Sequence, residues 1–403
     1  MIQADPPLAD AGMHGPRISV PIRPPTCQPW SGVRRRLAIR LDALGDVLMT
    51  GPALRALRAR APEEHLALLV SSTGAPAARL LPEVDEVIVY DPPWMPSPLP
   101  ARDPSADLAM IDELRGRRFD GAAIFTVHSQ SPLPAAMLAH LAGIPRRLAH
   151  AADNPYGLLT DWVPDPERDG PVRHEVRRQL DLLAAVSVPA DEDHLSLRVP
   201  ADSVVAMRER LERLGLEPGE GFVVVHPGAS AASRRYPPER FGAVVRAIVK
   251  DLGLRVIVTG SAAEAPLVMA VRRAAGVPVV RLAGRLSFAD FSALLALTPL
   301  VVTNNTAAAH VAAAVATPVV VVYAMTNVQH TPWRVPSRVV VAEVPCRGCR
   351  RSVCPLGHHA CLTSIEPGDV VAAVADLASE VGLVATTAVG RDPRMKPAEV
   401  GVG

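Results

Sequence analysis

Four cysteines stand within residues 346–361, in the pattern Cys346-x2-Cys349-x4-Cys354-x6-Cys361. Thiolates at such spacing can close a tetrahedral site for Zn2+ or Fe. Arg347, Arg350 and Arg351 would offset their charge, and His358 and His359 are substitute ligands. A closed four-thiolate site has no open position for chemistry, so the expected role is structural: pinning a loop or an oligomer contact. Reduced thiols and disulfides are the alternatives. Cys27 stands alone.

A second group is polar. The apolar pair Val301-Val302 runs into Thr303-Asn304-Asn305-Thr306, and a small-residue helix pattern follows from Ala307 to Ala316. Asn and Thr are N-cap residues that leave backbone N–H groups pointing outward, a seat for an anion and above all a diphosphate. His310 lies one turn beyond Thr306 on the same face. An ordinary capped helix is the plainer reading. Further polar residues follow other strand patterns: Asp46, His128 and Ser131, the loop His226-Pro227-Gly228-Ala229-Ser230 with Arg234 and Arg235, and Gly260 with Glu264. Asp46 could take a proton from a substrate hydroxyl, or merely cap a helix. Arg234 and Arg235 could neutralise a leaving phosphate or be a solvated pair. Glu264 could hold a sugar or ribose hydroxyl or serve as a helix-start acid.

The elements that must position these residues alternate. Strand patterns at 37–41, 66–70, 84–90 and 121–127 interleave with helix patterns at 47–60, 108–115 and 134–142, and residues 151–171 read as irregular. After a helix at 174–186 and a connection at 188–201, a second series opens with 222–226, 255–260 and 278–284 and closes with a helix at 368–381. Strands alternating with helices predict parallel α/β sheets, whose ligands bind beyond the carboxyl ends of the strands. The expected organisation is a Pro-rich disordered tail over 1–33, a first α/β domain over 34–190, a second over 191–383 that holds the cysteine cluster, and a second tail over 384–403. Two such domains facing each other make a cleft.

The chain of 403 residues carries a formal net charge of +1, which implies no nucleic-acid partner and at most peripheral membrane contact. Arg117-Arg118, Arg146-Arg147 and Arg177-Arg178 read as solvated faces. No apolar run reaches the ~18 residues of a membrane span, and residues 1–30 do not read as a signal peptide. A cytoplasmic location, at the inner face of the membrane or free of it, is expected. There is no G-x-G-x-x-G, no P-loop and no G-x-S-x-G, which argues against a dehydrogenase, a P-loop kinase and an α/β-hydrolase.

The segments 45–58, 226–241, 259–264, 282–296 and 305–320 together resemble glycosyltransferase family 9, the heptosyltransferases that use ADP-heptose. The likeness runs from about Arg36 to about Leu377. It implies a GT-B fold of two Rossmann-like domains, acceptor-binding over 34–190 and nucleotide-sugar-binding over 191–383, and inverting transfer of a heptose or related sugar from an ADP-sugar to a hydroxyl acceptor such as lipopolysaccharide core, with no cofactor for the chemistry. It implies Asp46 as general base. The donor side becomes His226, Gly228, Ser230, Arg234, Gly260, Glu264, Asn305, Thr306, Ala307 and His310; the acceptor side, His128 and Ser131. The family's usual Asp-Thr-Gly is here Asn305-Thr306-Ala307, with hydrogen bonding kept and charge lost. Cysteine-rich inserts holding iron are implied for some members, and a homo-oligomer is allowed. A different nucleotide sugar, an epimerase, and a non-catalytic GT-B protein with a metal-stabilised interaction role stay open.

Overall fold

The computed structural model describes residues 27–95, 103–165, 167, 170–216, 221–324, 329–346, 348–349 and 351–383. The first half runs β1 (Arg36–Arg40), α1 (Leu44–Arg60), β2 (Leu66–Val70), α2 (Ala75–Ala78), β3 (Glu86–Val89), α3 (Ser105–Arg117), β4 (Gly121–Ile124), α4 (Leu133–Leu141), β5 (Arg146–Ala151), β6 (Asp161–Pro164) and α5 (Glu175–Ala184). The second runs α6 (Ala201–Arg213), β7 (Phe222–His226), α7 (Pro238–Lys250), β8 (Arg255–Val258), α8 (Ala265–Ala275), β9 (Val280–Arg281), α9 (Phe288–Ala296), β10 (Val301–Asn304), α10 (Ala307–Ala314), β11 (Val319–Val322), β12 (Ser337–Val340), α11 (Ala360–Thr363) and α12 (Pro367–Glu380).

Each half forms a six-stranded sheet, ordered β3-β2-β1-β4-β5-β6 and β12-β11-β10-β7-β8-β9. Every pairing given for them is parallel. Central strands such as LALLV and VVVV are buried at every position, as a sheet covered by helices on both faces requires. Chain direction reverses across the sheet between β1 and β4 and between β7 and β10. Such switch points open a crevice at the strands' carboxyl ends, and the polar residues of interest follow these four strands. One apolar cluster runs through both halves, from Leu54 and Leu182 to Phe222, Leu294 and Ala309.

Part of the sequence reading is corrected here. Of the expected tail, residues 27–33 pack on the first sheet, with Trp30 2% and Val33 3% exposed; residues 1–26 and 384–403 lie outside the described residues. The stretch taken as irregular holds β6, and β5 just precedes it. The pair beginning β5 is not a solvated face: Arg147 is buried and donates to the carbonyls of Leu158 (2.7 Å) and Gly157 (3.0 Å). Arg178 is likewise buried, forked onto Asp165 with two bonds of 2.9 Å. Among the described residues no helix is long and apolar enough to cross a membrane.

Helices α7 and α8 meet at Gly242, where a Cβ would stand 2.5 Å from the Ala274 Cβ and 2.8 Å from the Ala275 amide nitrogen. Gly242→Val should therefore lower the unfolding free energy by about 1–3 kcal/mol. Gly368 in α12 has open space around it, so Gly368→Ala should be neutral or stabilise by up to about 1 kcal/mol. Urea midpoints of the two variants check this; equal shifts would rule out close packing at Gly242.

Candidate active site

Chain geometry brings β1 into the middle of its sheet, and Arg40 at its end is wholly buried. Burial opposes its charge, but three carboxylates keep it ionised: Asp42 at 2.8 Å, Glu175 at 2.9 Å and Asp46 at 3.3 Å. Glu175, also buried, receives Gln179 Nε2 at 2.5 Å. Burial raises its pKa, yet Arg40 and His330 together more than offset this and hold it below the usual carboxylate range. Asp42 goes the other way. Burial dominates, nearby Asp46 adds to it, and the pKa rises despite Arg40 and a 2.6 Å bond from Gln130.

Asp46 sits in the first turn of α1, not at its N-cap; that position is Ala43, which makes no side-chain cap. The Asp46 Oδ1 is buried and has no hydrogen-bond partner. Across from it, His330 Nε2 lies 3.8 Å away, and 3.9 Å from Glu175 Oε2. His330 belongs to the second half of the chain, so the carboxylates of the first half meet an imidazole of the second.

The two halves touch where the start of α1 meets the start of α10. A Cβ on Gly45 would stand 2.9 Å from His310 Cδ2 and 3.7 Å from the Ala307 Cα. Six of the eight residues of α10 are alanine, which lets backbones approach. Thr306 caps α10 through its extended backbone (φ −151°), accepting Ala309 N at 3.0 Å, and its side chain makes no capping bond, so the Thr306 hydroxyl does not occupy the first amides of α10. His310 is fully buried against this contact, and its ring centroid is 6.4 Å from that of His330.

Around α10 gather the loops of the second sheet. Asn304 was passed over in the sequence reading in favour of its neighbours. It is completely buried and ties two loops to β10, donating to Pro227 O (2.7 Å) and accepting from Tyr236 N (3.1 Å). Asn305 is 2% exposed, and its side chain lies within reach of the buried Tyr323 hydroxyl. Arg234 is near enough to influence both His310 and Tyr323. On the far side of β7, His226 contacts Thr259 at 3.1 Å. Glu264 closes a capping box with Ser261 and lies directly over Gly228, where a Cβ would overlap its carboxylate. Gly260 meets Val268 and Glu264 closely. Ser230 is exposed on the same loop. The donor-side residues of the sequence reading therefore fall around the β7–β10 switch point, although Glu264 is spent locally on Ser261.

On the acceptor side the two expected residues part. Ser131 lines a cavity of about 250 Å3 with Asp42, Gln130, Trp94 and Met95. His128 is instead beside Glu167, at 3.8 Å, and is not among the lining residues. Asp42 and Gln130 went unread because a carboxylate two residues past a strand reads as ordinary turn chemistry; only the approach of Arg40 and Gln130 marks it.

The expected four-cysteine metal centre gains no support. Among the described residues no group of three or more His, Cys, Asp or Glu side chains is arranged to hold a metal ion. Among the described residues the four cysteines form no disulfide, and each is half-buried. With His358, His359 and Ser233 they line a small pocket of about 30 Å3. Side chains around one pocket need not converge on one point, which is what coordination at ~2.3 Å requires.

Burial pushes His310 down to about 3, with His330 and His174 adding to the effect, and pushes His150 down to about 4, with Arg178 adding. Both titrate near 6.5 when unfolded. Below about pH 6.5 the unfolded chain takes up protons that the folded chain refuses, so stability falls toward acid, by up to about 1.4 kcal/mol per pH unit per histidine. Asp42, raised in the fold, has the opposite sign and trims the slope. The urea midpoint should drop between about pH 7 and about pH 5, and His310→Gln should flatten the profile. A midpoint constant over that range would contradict neutral burial.

Residues 108–360, more than half of the chain, match the family model described as glycosyltransferase family 9 (heptosyltransferase). A lipopolysaccharide heptosyltransferase 2 of Salmonella typhimurium is 25% identical over 362 residues, covering 86% of this chain and 99% of that protein. The crystal structure of a family 9 glycosyl transferase from Veillonella parvula superposes with a TM-score of 0.73 at 20% identity, over 86% of this chain and 98% of the other. The E. coli ADP-heptose lps heptosyltransferase II superposes with a TM-score of 0.66 at 22% identity, over 86% and 99%. These likenesses make the two-sheet architecture a GT-B fold. The chain belongs to glycosyltransferase family 9 and is a transferase enzyme.

Proposed function

We propose that the protein transfers a heptose, or a closely related sugar, from an ADP-sugar to a hydroxyl of a glycan or glycolipid such as lipopolysaccharide core. The observation that carries this reading is the meeting of the α1 and α10 N-termini. It brings Gly45, the residue before Asp46, against Ala307 and His310, while the Asp46 Oδ1 faces Arg40 at 3.3 Å and His330 at 3.8 Å. In this reading Asp46 takes the proton of the acceptor hydroxyl, which attacks the anomeric carbon and inverts it. The acceptor approaches from the cavity that Asp42 and Ser131 line. The departing diphosphate carries the developing charge. The N-terminal amides of α10 and the Arg234 guanidinium stabilise it, as preorganised donors do where charge appears. Those groups supply the electrophilic stabilisation, so the scheme calls on no cofactor. The loops at His226, Gly228, Ser230, Gly260 and Glu264 would take the nucleoside end. An acceptor carried by a membrane lipid places the enzyme at the inner face of the membrane.

A second donor, another nucleotide sugar, is favoured by one feature. Asn305 presents an uncharged amide at the position where the resemblance implies a carboxylate, so this turn lacks that negative charge. Thermal-shift measurements with ADP-heptose and other nucleotide sugars separate the two.

Asp46→Asn keeps the side chain's shape and removes the base. It should cut transfer by about 10²–10⁴-fold and leave ADP affinity within a few-fold by calorimetry. Undiminished transfer would remove Asp46 from the mechanism; loss of ADP binding would make its role structural.

A further inference from the structure

The outer flank of the second sheet carries a groove that the transfer scheme does not use. Its volume is about 430 Å3, and five arginines line it: Arg210, Arg213, Arg272, Arg281 and Arg285. Arg273 stands in an adjoining hollow that shares Arg272. The floor is β9, an edge strand of two residues paired on one side with β8. The walls are the last turns of α6 and α8, which hold Arg210, Arg213, Arg272 and Arg273.

Ordinary structural duties do not absorb this charge. Each helix C-terminus offers about half a negative charge, so two offer about one. Glu209 reaches Arg213 at 3.7 Å. Among the described residues no carboxylate lines the groove, and none pairs with the other five arginines. The oriented ones are held by neutral acceptors: Arg210 Nη1 by Arg285 O and Arg281 Nη1 by Met269 Sδ, both at 3.2 Å. Such bonds aim a guanidinium without discharging it. Charges do guard edge strands against pairing, but a strand this short offers little edge to guard. The groove is therefore lined by five arginines and, among the described residues, by no carboxylate, in a chain whose total charge is +1.

We propose that this groove is a docking surface for an anionic phospholipid bilayer, with headgroup phosphates seated between the guanidiniums. Arginine forks match phosphate oxygens in pairs, and a basic flank on a near-neutral protein sets one orientation on a negative surface. The proposal stands apart from the identity of donor and acceptor, because binding is read without any transfer reaction.

The full chain is sedimented with vesicles of phosphatidylcholine alone or mixed with phosphatidylglycerol. At least tenfold more protein should pellet with the anionic vesicles, and the excess should vanish at about 0.5 M salt, where screening shortens below ~5 Å. The triple substitution Arg213→Glu, Arg272→Glu, Arg273→Glu should abolish the excess while ADP affinity, measured by calorimetry, stays unchanged. The same charge change on the first half, Arg34→Glu, Arg60→Glu, Arg79→Glu, should leave the excess intact. Equal pelleting with both vesicle types overturns the proposal, as does equal loss in both triple variants. Thermal stabilisation by inorganic phosphate without vesicle binding would assign the groove to a soluble anion and overturn it equally.

Discussion

A single buried guanidinium sets the geometry on which the candidate site depends. Arg40 ends a central strand of the first sheet with no exposure, hydrogen-bonded to Glu175 and ion-paired with Asp42 and Asp46. These come from the loop after β1, the first turn of α1 and the first turn of α5. Removing one partner of such a buried set strands the others' charge, at a cost of about 3–5 kcal/mol, so the three segments are held in one arrangement. The cluster is unevenly balanced. Glu175 keeps its charge easily, and Asp42 does not. Carboxylates in one cluster with opposed protonation preferences are an arrangement suited to proton transfer.

The second constraint is how closely two helix N-termini can come. Both ends carry partial positive charge, and two such ends facing each other repel unless negative groups lie between. Asp46, in the first turn of α1, is one such group. Contact distance is set by residue size: Gly45 on α1, and alanines around His310 on α10. The segment after β11 then fastens the halves. Glu175 N donates to Gln329 O at 3.1 Å, His174 stacks on Trp333 with centroids 4.2 Å apart, and Trp333 Nε1 donates to Asp193 O at 2.8 Å. With aromatics at only 3% of the chain, placing a Trp at this seam makes it a locally expensive contact to break.

The parallel α/β class was legible because apolar strand runs and amphipathic helices leave separate periods in the sequence. So were the strand-end loops, since ligand sites in open sheets follow topology and not residue identity. What stayed hidden was polar burial. Arg147 and Arg178 look like surface charge, and become structural only when folding brings carbonyls and Asp165 to them. β5 and β6 were missed for the same reason, because RRLAHA and DWVP show no apolar alternation. The four cysteines gain no support as a metal centre from the fold. Their spacing allows coordination, but spacing along the chain does not aim thiols at a common centre, and here they surround a pocket instead.

By itself the sequence determined the alternation of elements, the ends at which ligands meet the sheets, and a set of motifs whose order marks the family. These depend on short-range patterning and backbone propensity, which act within a dozen residues. Tertiary structure alone decided which polar groups share a dielectric environment. Arg40 and Glu175 are separated by 135 positions yet bonded. Asp46 is close to His330 because two sheets pack, and His128 is turned to Glu167 and away from the cavity that Ser131 lines. Electrostatic interaction depends on distance and burial, and neither quantity is written in the spacing of residues along a chain.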